Sequence, residues 1–332
     1  MNHLESAFSG KNAIWRYLIM IAVVLIVSTT IGSLPLLIAL LIKSASNPDV
    51  FSLLAANPND YSVLGLDPNV GLAMMLFPFI AGLAAFILLV KPLNNRTFRN
   101  TINGTGKIRW DRFFISAFIW LLLSAGYLFL YMKVDPANFT INNKTTSLIM
   151  LSVVSLLLIP FQAAFEEVLF RGYLMQGFAT LLRNRWFPLI MTSVFFGLMH
   201  AFNPEVKEYG FLTMIPQYIL FGLIFGIITI LDDGIEASMG AHAANNIILC
   251  IMVTNESSAL QTPALFEQHN IYPWTEFAGL LISGIIFILV LKIIFKWKDF
   301  SLLFTKIQVR PIPGISEGSP ISSPISSVEG RM

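Results

Sequence analysis

Charged residues are scarce in this chain. Only 12% of its 332 residues are Asp, Glu, Lys or Arg, whereas 55% are hydrophobic and the mean hydropathy is +0.72. Soluble domains carry about 25% charged residues, so the composition excludes that class and predicts a polytopic membrane protein. The net charge of +2 indicates no partner by itself, and we expect no nucleic-acid partner.

Cysteine and histidine are also scarce. The single cysteine, Cys250, lies in an apolar run, so an intrachain disulfide is excluded and a small buried side chain is favoured over a nucleophile. His3 and His269 fall in the N-terminal segment and in a predicted outer loop, and we assign them no role. His200 and His242 lie in apolar sequence, where ionisable groups are costly and are therefore functional candidates.

Long apolar runs dominate the sequence. Eight runs are long enough, or nearly so, to cross a hydrocarbon core about 30 Å thick. They cover residues 17–42, 70–90, 113–132, 147–170, 187–202, 211–231, 239–253 and 277–295. The predicted fold class is therefore all-α, a polytopic membrane bundle of about eight transmembrane helices. The first run is long for a signal core, so we expect a membrane anchor there and no cleavable signal peptide.

Basic residues in the predicted loops fall mainly on one side of the membrane. With the N-terminus in the cytoplasm, all but four of the 21 Lys and Arg are cytoplasmic. The exceptions are Lys43, Lys133, Lys144 and Lys207. This bias predicts both termini in the cytoplasm. We expect an integral protein of a bacterial plasma membrane. One inner loop departs from the pattern, because Asp232, Asp233 and Glu236 have no basic partner in it.

Small and aromatic residues in the spans have structural interpretations. Gly222 and Gly226 are four residues apart in the sixth run, and we expect them to help helices pack within the chain rather than between copies. Most of the tryptophans lie near the ends of spans, and we interpret them, Trp120 and Trp297 included, as interfacial anchors.

Two adjacent glutamates near the end of the fourth run point in different directions if the run is helical. Glu167 and Arg171 are four residues apart with glutamate first, which favours an ion pair on one face. Glu166 is rotated from that face by about 100°. We therefore predict a supporting role for Glu167 and Arg171 and a reactive role for Glu166. Taken alone, two glutamates at a span end more often pair with arginine at the membrane rim.

Two further runs each carry a pair of residues one helical turn apart. Phe196 precedes His200 by four residues, and His242 precedes Asn246 by four. A single His or Asn in a membrane helix more often bonds a neighbouring helix than performs chemistry. Two histidines, two glutamates, an arginine and an asparagine on three spans are harder to explain in that way, so we interpret the set as a site.

Helix geometry predicts that the set can meet. If the fourth and fifth runs form a hairpin about Asn184, Glu166 and His200 lie within about 3 Å of the same height at about 1.5 Å per residue. His242 reaches that height only if residues 171–190 project beyond the lipid, and we predict this projection. The site then lies in the cytoplasmic half of the bilayer.

These side chains match the needs of peptide hydrolysis inside a membrane. Glu166 with His200 would activate water, and His242 with Asn246 would stabilise the oxyanion. Glu166, His200 and His242 are also a plausible zinc ligand set with an open water position, although there is no HExxH pair. We favour a reaction without a cofactor and keep a divalent metal such as zinc as the alternative.

The same residues resemble the signature motifs of a known family. Glu166-Glu167-x-x-x-Arg171, Phe196-x-x-x-His200 and His242-x-x-x-Asn246 are similar to the three motifs of the CAAX-protease and bacteriocin-processing family of intramembrane endopeptidases. Eukaryotic members are type II CAAX prenyl proteases, and some bacterial members are linked to bacteriocin self-immunity. The resemblance covers about residues 147–253.

The resemblance implies an eight-helix bundle whose catalytic cavity opens to the cytoplasm. It implies Glu166 as the catalytic carboxylate with His200, His242 and Asn246 beside it, and Phe196 in support. Members have been described both as metalloproteases and as glutamic proteases, and we favour the glutamic type. The expected division of the chain is 1–146, membrane spans without an assigned role; 147–253, the catalytic core; 254–310, an outer loop and the final span; and 311–332, a disordered tail.

We therefore predict an intramembrane endopeptidase that acts on a membrane-embedded or lipidated peptide or protein, prenylated or leader-bearing. The alternative is a non-catalytic scaffold of the same fold, with a binding, immunity or regulatory role. A proton- or ion-coupled transporter would also bury Glu and His, but the sequence has no internal repeat to favour it. The sequence favours no oligomeric state.

Overall fold

The structure, a computed structural model, describes residues 2–56, 61–142 and 145–307, so the predicted tail at 311–332 lies outside the described residues. The helices are α1 (Ile14–Thr29), α2 (Leu34–Ser44), α3 (Val50–Ala56), α4 (Pro68–Asn94), α5 (Phe98–Ile102), α6 (Trp110–Val134), α7 (Thr145–Glu167), α8 (Met175–Leu182), α9 (Trp186–Met199), α10 (Pro204–Tyr209), α11 (Phe211–Asp232), α12 (Glu236–Met252) and α13 (Pro273–Phe295). A π-helix, Val168–Leu174, joins α7 to α8. The strands are β1 (Phe139–Ile141), β2 (Val253–Thr254) and β3 (Phe266–Gln268).

Apolar helices account for almost all of the architecture. Within the described residues, six helical segments are long and apolar enough to cross a membrane. They are Ile14–Ser44, Pro68–Asn94, Trp110–Val134, Ser147–Leu182, Phe211–Asp232 and Pro273–Phe295. The shorter apolar helix α9 and the 17-residue α12 complete the bundle. The prediction of an all-α, polytopic membrane bundle is confirmed.

The boundaries differ from the predicted spans at two places. The first run is two helices, because α1 ends at Thr29 and α2 begins at Leu34 after a turn. Pro35 stands in the first turn of α2, where a proline costs no hydrogen bond. The fourth run is longer than predicted, because the helix continues through the π-helix to Leu182.

The helix connections gather at two ends of the bundle. The N-terminal face carries residues 2–12, the α8–α9 turn and residues 296–307, and Arg185 there pairs with Glu5 and bonds the Lys306 carbonyl at 3.0 Å. The sheet face carries a three-stranded sheet in the order β1-β3-β2, with β1 antiparallel and β2 parallel to β3. Both ends of the described chain therefore lie at the N-terminal face.

The acidic turn between α11 and α12 lies at the N-terminal face and has basic partners. Arg109 Nη2 lies 3.2 Å from Asp232 Oδ2 and 2.6 Å from Glu236 Oε2, and Arg112 Nη1 lies 3.5 Å from Asp232 Oδ1. Burial opposes the charge on Arg109, but the bond to Glu236 and the charge of Asp232 raise its pKa above the ordinary value. The acidic loop contains no basic residue of its own, and its partners come from a loop distant in sequence.

Helices α9 and α11 pack at backbone distance. A Cβ on Gly222 would lie 2.7 Å from the Cα of Ser193, which no side chain could accept without a shift. Gly226 faces the side chain of Leu189 in the same interface. The glycine pair therefore serves packing within the chain, as predicted, and it brings the end of α9 beside α11 and the π-helix.

Candidate active site

The two motif glutamates are the last residues of α7, at the point where the helix changes type. In the π-helix that follows, the backbone N–H of Met175 donates to the carbonyl of Phe170, five residues earlier. Such single-turn π-helices occur frequently at functional sites, because they change which face of a helix carries each side chain. Glu166 and Glu167 themselves are still in the regular helix, where adjacent residues point about 100° apart, and they contact different partners.

Glu167 lies at the centre of a fully buried ion pair. Its Oε1 lies 2.8 Å from Arg171 Nη1, and neither side chain is exposed. The same oxygen lies 2.9 Å from His242 Nδ1. Because an ionised carboxylate can only accept, Nδ1 carries the proton in this contact and Nε2 is left facing away from Glu167.

The Arg171 guanidinium is enclosed on its other sides by aromatic rings and a backbone oxygen. It lies 4.3 Å from the ring centroid of Phe196 and 5.6 Å from that of Phe225, and Nη2 donates to the Gly222 carbonyl at 3.4 Å. Phe225 also stacks on His242, with centroids 5.3 Å apart and an angle of 26° between planes. The predicted supporting residues Glu167, Arg171 and Phe196 thus meet around one imidazole.

Glu166 faces the free nitrogen of that imidazole. Its Oε2 lies 3.7 Å from His242 Nε2, and the Glu166 side chain is only 11% exposed. Gln162 Nε2 donates to Glu166 Oε1. Within the described part of the chain, Oε2 is buried without a hydrogen-bond partner. Glu166 therefore presents one carboxylate oxygen to His242 and to whatever else enters the site.

A row of amides connects Asn246 with Glu166. Asn246 Nδ2 donates to Gln162 Oε1 at 2.9 Å, and Asn246 Oδ1 accepts from Asn245 Nδ2 at 3.0 Å. The row ends at Trp120, whose indole N–H donates to Asn245 Oδ1 at 3.1 Å. Trp120 is 2% exposed, so the prediction of an interfacial anchor is wrong for this residue. Its place in the middle of α6 is the reason.

His200 lies just beyond the last residue of α9, on the far side of Phe196. The Phe196 ring centroid is 4.8 Å from that of His200 and 6.0 Å from that of His242. His200 Nδ1 lies 2.7 Å from the Phe196 carbonyl oxygen, to which it donates. Among the described residues, no hydrogen bond joins His200 to Glu166, so the imidazole that directly faces Glu166 is His242.

Tyr218 of α11 stacks on His200. The ring centroids are 4.1 Å apart and the planes are inclined by 15°. The phenol donates to Glu205 Oε1 and accepts from Asn203 Nδ2 at 3.1 Å. Sequence reasoning missed both Tyr218 and Gln162. The signal was present, because each is a polar residue in an apolar run and Gln162 stands one helical turn before Glu166.

In their observed arrangement, Glu166, His200 and His242 do not form a metal site. Throughout residues 2–56, 61–142 and 145–307, no group of three or more His, Cys, Asp or Glu side chains is arranged to hold a metal ion. Glu166 and His242 face each other, but His200 lies beyond Phe196 with Nδ1 bound to a carbonyl. We therefore derive no chemical step through a metal.

Comparison with known proteins identifies the family. A family model described as Type II CAAX prenyl endopeptidase Rce1-like matches residues 145–248. An uncharacterized protein of Bacillus subtilis (strain 168), YyaK, is 30% identical over 269 residues, which cover 80% of this chain and 87% of that protein. The chain belongs to the CAAX-protease and bacteriocin-processing family. No solved structure matches it.

Membership of the CAAX-protease family confirms the resemblance seen in the three motifs. The matched segment, 145–248, contains every residue of the candidate site from Glu166 to Asn246. The family indicates protease activity of the CAAX type, and together with the apolar helices it indicates an integral membrane protein.

Proposed function

We propose that the protein is an intramembrane endopeptidase of glutamic type that hydrolyses a peptide bond in a membrane-embedded or lipidated peptide or protein. The observation that carries this proposal is the relation of Glu166 to His242. A buried carboxylate oxygen lies 3.7 Å from an imidazole nitrogen, and the other nitrogen of that ring is held by Glu167. Such an arrangement suits proton transfer in a site shielded from bulk water.

The attack step uses Glu166 as the general base. Its Oε2 takes one proton from a water molecule while the water oxygen forms a bond to the carbonyl carbon of the scissile peptide. The carbonyl electrons move to oxygen and give a tetrahedral oxyanion. We assign His200 to hold the attacking water, because its Nδ1 donates to a backbone carbonyl and the lone pair on Nε2 can accept the water hydrogen that is not transferred.

The oxyanion needs hydrogen-bond donors that are already in place. His242 donates from Nε2 if the ring enters the reaction with both protons and keeps them throughout, and the Glu167 carboxylate at Nδ1 compensates the positive charge of that ring. Asn246 has a second amide hydrogen beyond the one donated to Gln162. When the tetrahedral species collapses, the C–N bond breaks and Glu166 returns the proton to the leaving nitrogen.

We place the N-terminal face in the cytoplasm of a bacterium. The loops at that face carry most of the Lys and Arg residues, which supports this orientation. His242 is about 9 Å from Glu236 along α12, at about 1.5 Å per residue. The site then lies in the half of the membrane nearer the cytoplasm, within reach of a substrate anchored in that leaflet.

Cleavage of anchored reporter peptides by the purified protein in nanodiscs tests the proposal. The panel contains prenylated peptides and peptides with a membrane-spanning segment, each with a fluorescence readout. We expect the wild-type protein to cleave at least one class, and Glu166→Gln and His200→Ala to abolish cleavage with or without a chelator. Glu267→Gln, at an exposed carboxylate on the sheet face, is the matched control and should retain full activity.

Two results would overturn parts of this proposal. Loss of wild-type cleavage on chelation, restored by zinc, would replace the glutamic mechanism by a metal-dependent one. A non-catalytic scaffold would be favoured by two results together. The folded wild-type protein would cleave no peptide, and cells that carry Glu166→Gln would have the same phenotype as cells that carry the wild type.

A further inference from the structure

The N-terminal segment, residues 2–12, is packed into the protein beside the π-helix. His3 is 1% exposed, and its backbone N–H donates to Asp233 Oδ1 at 2.7 Å. Its ring nitrogen Nε2 lies 2.9 Å from the carbonyl oxygen of Arg171. Glu5 of the same segment pairs with Arg185. A histidine without a role in the sequence analysis is therefore bonded to the backbone of a motif residue.

Gln176 lies against one nitrogen of the His3 ring, and the Arg171 carbonyl accepts from the other. The Gln176 side chain is fully buried, its Nε2 donates to the His3 carbonyl at 2.8 Å, and its Oε1 accepts from Arg96 Nη1 at 2.6 Å. The same Nε2 lies 3.4 Å from His3 Nδ1. The two hydrogens of that nitrogen are directed at the carbonyls of His3 and Asn100, both at 2.8 Å, and the nitrogen has no lone pair to accept a proton from Nδ1. Because the Arg171 carbonyl can only accept, the proton of neutral His3 is on Nε2 and points at that oxygen.

The contact with Arg171 falls in the middle of the π-helix Val168–Leu174. The carbonyl of Arg171 is bound by His3, and its guanidinium lies 2.8 Å from Glu167. Glu167 in turn holds His242 at 2.9 Å, and His242 faces Glu166 at 3.7 Å. A continuous series of contacts thus runs from the N-terminal segment to the proposed catalytic carboxylate.

We propose that His3 is a positioning residue for peptide hydrolysis, an inference that rests on the proposed function. Its Nε2–H holds the Arg171 carbonyl and so sets the turn of π-helix that aims Arg171 and Glu167 at His242. His3 touches neither the substrate nor the reacting atoms. Positioning through other residues matters because a shift of about 1 Å in a catalytic group can reduce the rate about 100-fold.

Charges around His3 bear on whether the ring stays neutral. Burial lowers the pKa of His3, and the Arg171 carbonyl, Asp233 and Glu236 oppose that effect, while Arg109 adds to it. A proton on Nδ1 would point at the Gln176 amide nitrogen, which has no lone pair to accept it. Acidification therefore disturbs the contact between Nδ1 and Gln176, whereas the bond from Nε2 to the Arg171 carbonyl remains.

The test compares kcat and KM of His3 variants on a reporter peptide that the wild-type protein cleaves. In His3→Gln the amide nitrogen replaces Nε2 as the donor to Arg171, whereas His3→Ala removes the donor. We expect His3→Ala to lower kcat about 10-fold or more with KM nearly unchanged, and His3→Gln to restore most of the loss. Glu5→Gln loosens the same segment at Arg185 without touching the π-helix, and its kcat should stay at the wild-type value.

Hydrogen exchange separates the failure of this inference from the failure of the proposed function. We expect amides of Val168–Leu174 to exchange faster in His3→Ala than in the wild type or Glu5→Gln. A wild-type kcat for His3→Ala, or equal kcat values for folded His3→Ala and His3→Gln, would overturn the inference. If the wild type cleaves no peptide, the proposed function fails, and unchanged exchange in His3→Ala would then reject the positioning of the π-helix as well.

Discussion

Glu167 and His242 lie 75 positions apart in the chain, and the Glu167 carboxylate holds the His242 ring through Nδ1 at 2.9 Å. Arg171 binds the same carboxylate oxygen at 2.8 Å, so one buried anion orients an imidazole and is itself held by a buried cation. This arrangement gives Glu167 a larger part than ion pairing alone. It leaves Glu166, one residue earlier, to face the other nitrogen of the ring.

Replacement of Glu167 should affect both stability and rate. Glu167→Gln leaves the Arg171 charge buried without its anion, which costs about 3–5 kcal/mol of unfolding free energy. The double variant Glu167→Gln/Arg171→Gln removes both charges and should recover much of that loss, while kcat stays at least about 100-fold below wild type. Thermal unfolding and reporter cleavage of the single and double variants measure the two effects. Recovery of kcat together with stability would show that Glu167 only neutralises Arg171.

Gln162 links the proposed base to the amide row, and its loss should slow the reaction. Gln162→Met keeps a similar volume but removes the donor to Glu166 Oε1 and the acceptor of Asn246 Nδ2. We expect kcat to fall about 10-fold because Glu166 and Asn246 lose a fixed orientation. Steady-state cleavage and a melting curve on the same samples check this. A wild-type kcat would mean that the two side chains orient themselves without Gln162.

Stacking by Tyr218 should be more important to His200 than the phenol hydroxyl. Tyr218→Phe keeps the ring 4.1 Å from His200 and loses only the bonds to Glu205 and Asn203. We expect Tyr218→Phe to retain kcat within about 3-fold and Tyr218→Leu to lose about 10-fold, because a leucine leaves the imidazole free to rotate. Equal losses in the two variants would instead assign the effect to the hydroxyl.

Acid should destabilise the fold in part through His3. Burial lowers the pKa of His3 below its usual value of 6.5, so below that pH the unfolded chain binds a proton that the folded protein does not. The stability from neutral His3 is present above about pH 6.5 and is lost as the pH falls toward the folded pKa. The fall in melting temperature between about pH 7.5 and pH 5.5 should therefore be smaller in His3→Gln than in wild type. His269→Gln, at an exposed histidine, should behave as wild type; a reduction as large as that of His3→Gln would contradict the assignment to His3.

The α9–α11 interface should not accept a methyl group. In Gly222→Ala the new Cβ lies 2.7 Å from the Ser193 Cα, and the shift this requires costs about 1–3 kcal/mol. Gly126→Ala is the matched control, since its Cβ would meet no heavy atom within 4 Å apart from its chain neighbours and the adjacent backbone of its own helix, and it should be neutral or stabilising by up to about 1 kcal/mol. Melting temperatures of the two variants distinguish these outcomes. Equal effects would show that α9 and α11 adjust freely.

Hydropathy predicted the bundle because a bilayer imposes its thickness on every span, and that constraint is local in sequence. It missed the break between Thr29 and Leu34, since both sides of the turn are apolar. It also could not assign Arg109 to Glu236, because the two meet only after the chain has folded.

In the candidate site, too, residue spacing predicted contacts within one helix but not contacts between distant parts of the chain. The four-residue interval of Glu167 and Arg171 predicted their ion pair, which depends on one helix. The burial of His3 against Arg171 joins positions 168 residues apart, and no periodicity carries that information. The same four-residue spacing relates Gln162 to Glu166, but an uncharged side chain is a weaker indication of a site than a charged one.

The π-helix can be regarded as an insertion of one residue between two sections of helix that face different neighbours. Removing one residue from Val168–Leu174 would let a regular α-helix run from α7 into α8. The residues before the deleted position would then be rotated by about 100° about the helix axis relative to those after it. Glu167 and Gln176 could no longer face His242 and His3 together. The register of this single segment thus ties the reacting groups to the N-terminus. Deletion of one residue at 172–174 would separate them while leaving every side chain and spacing of the motifs intact.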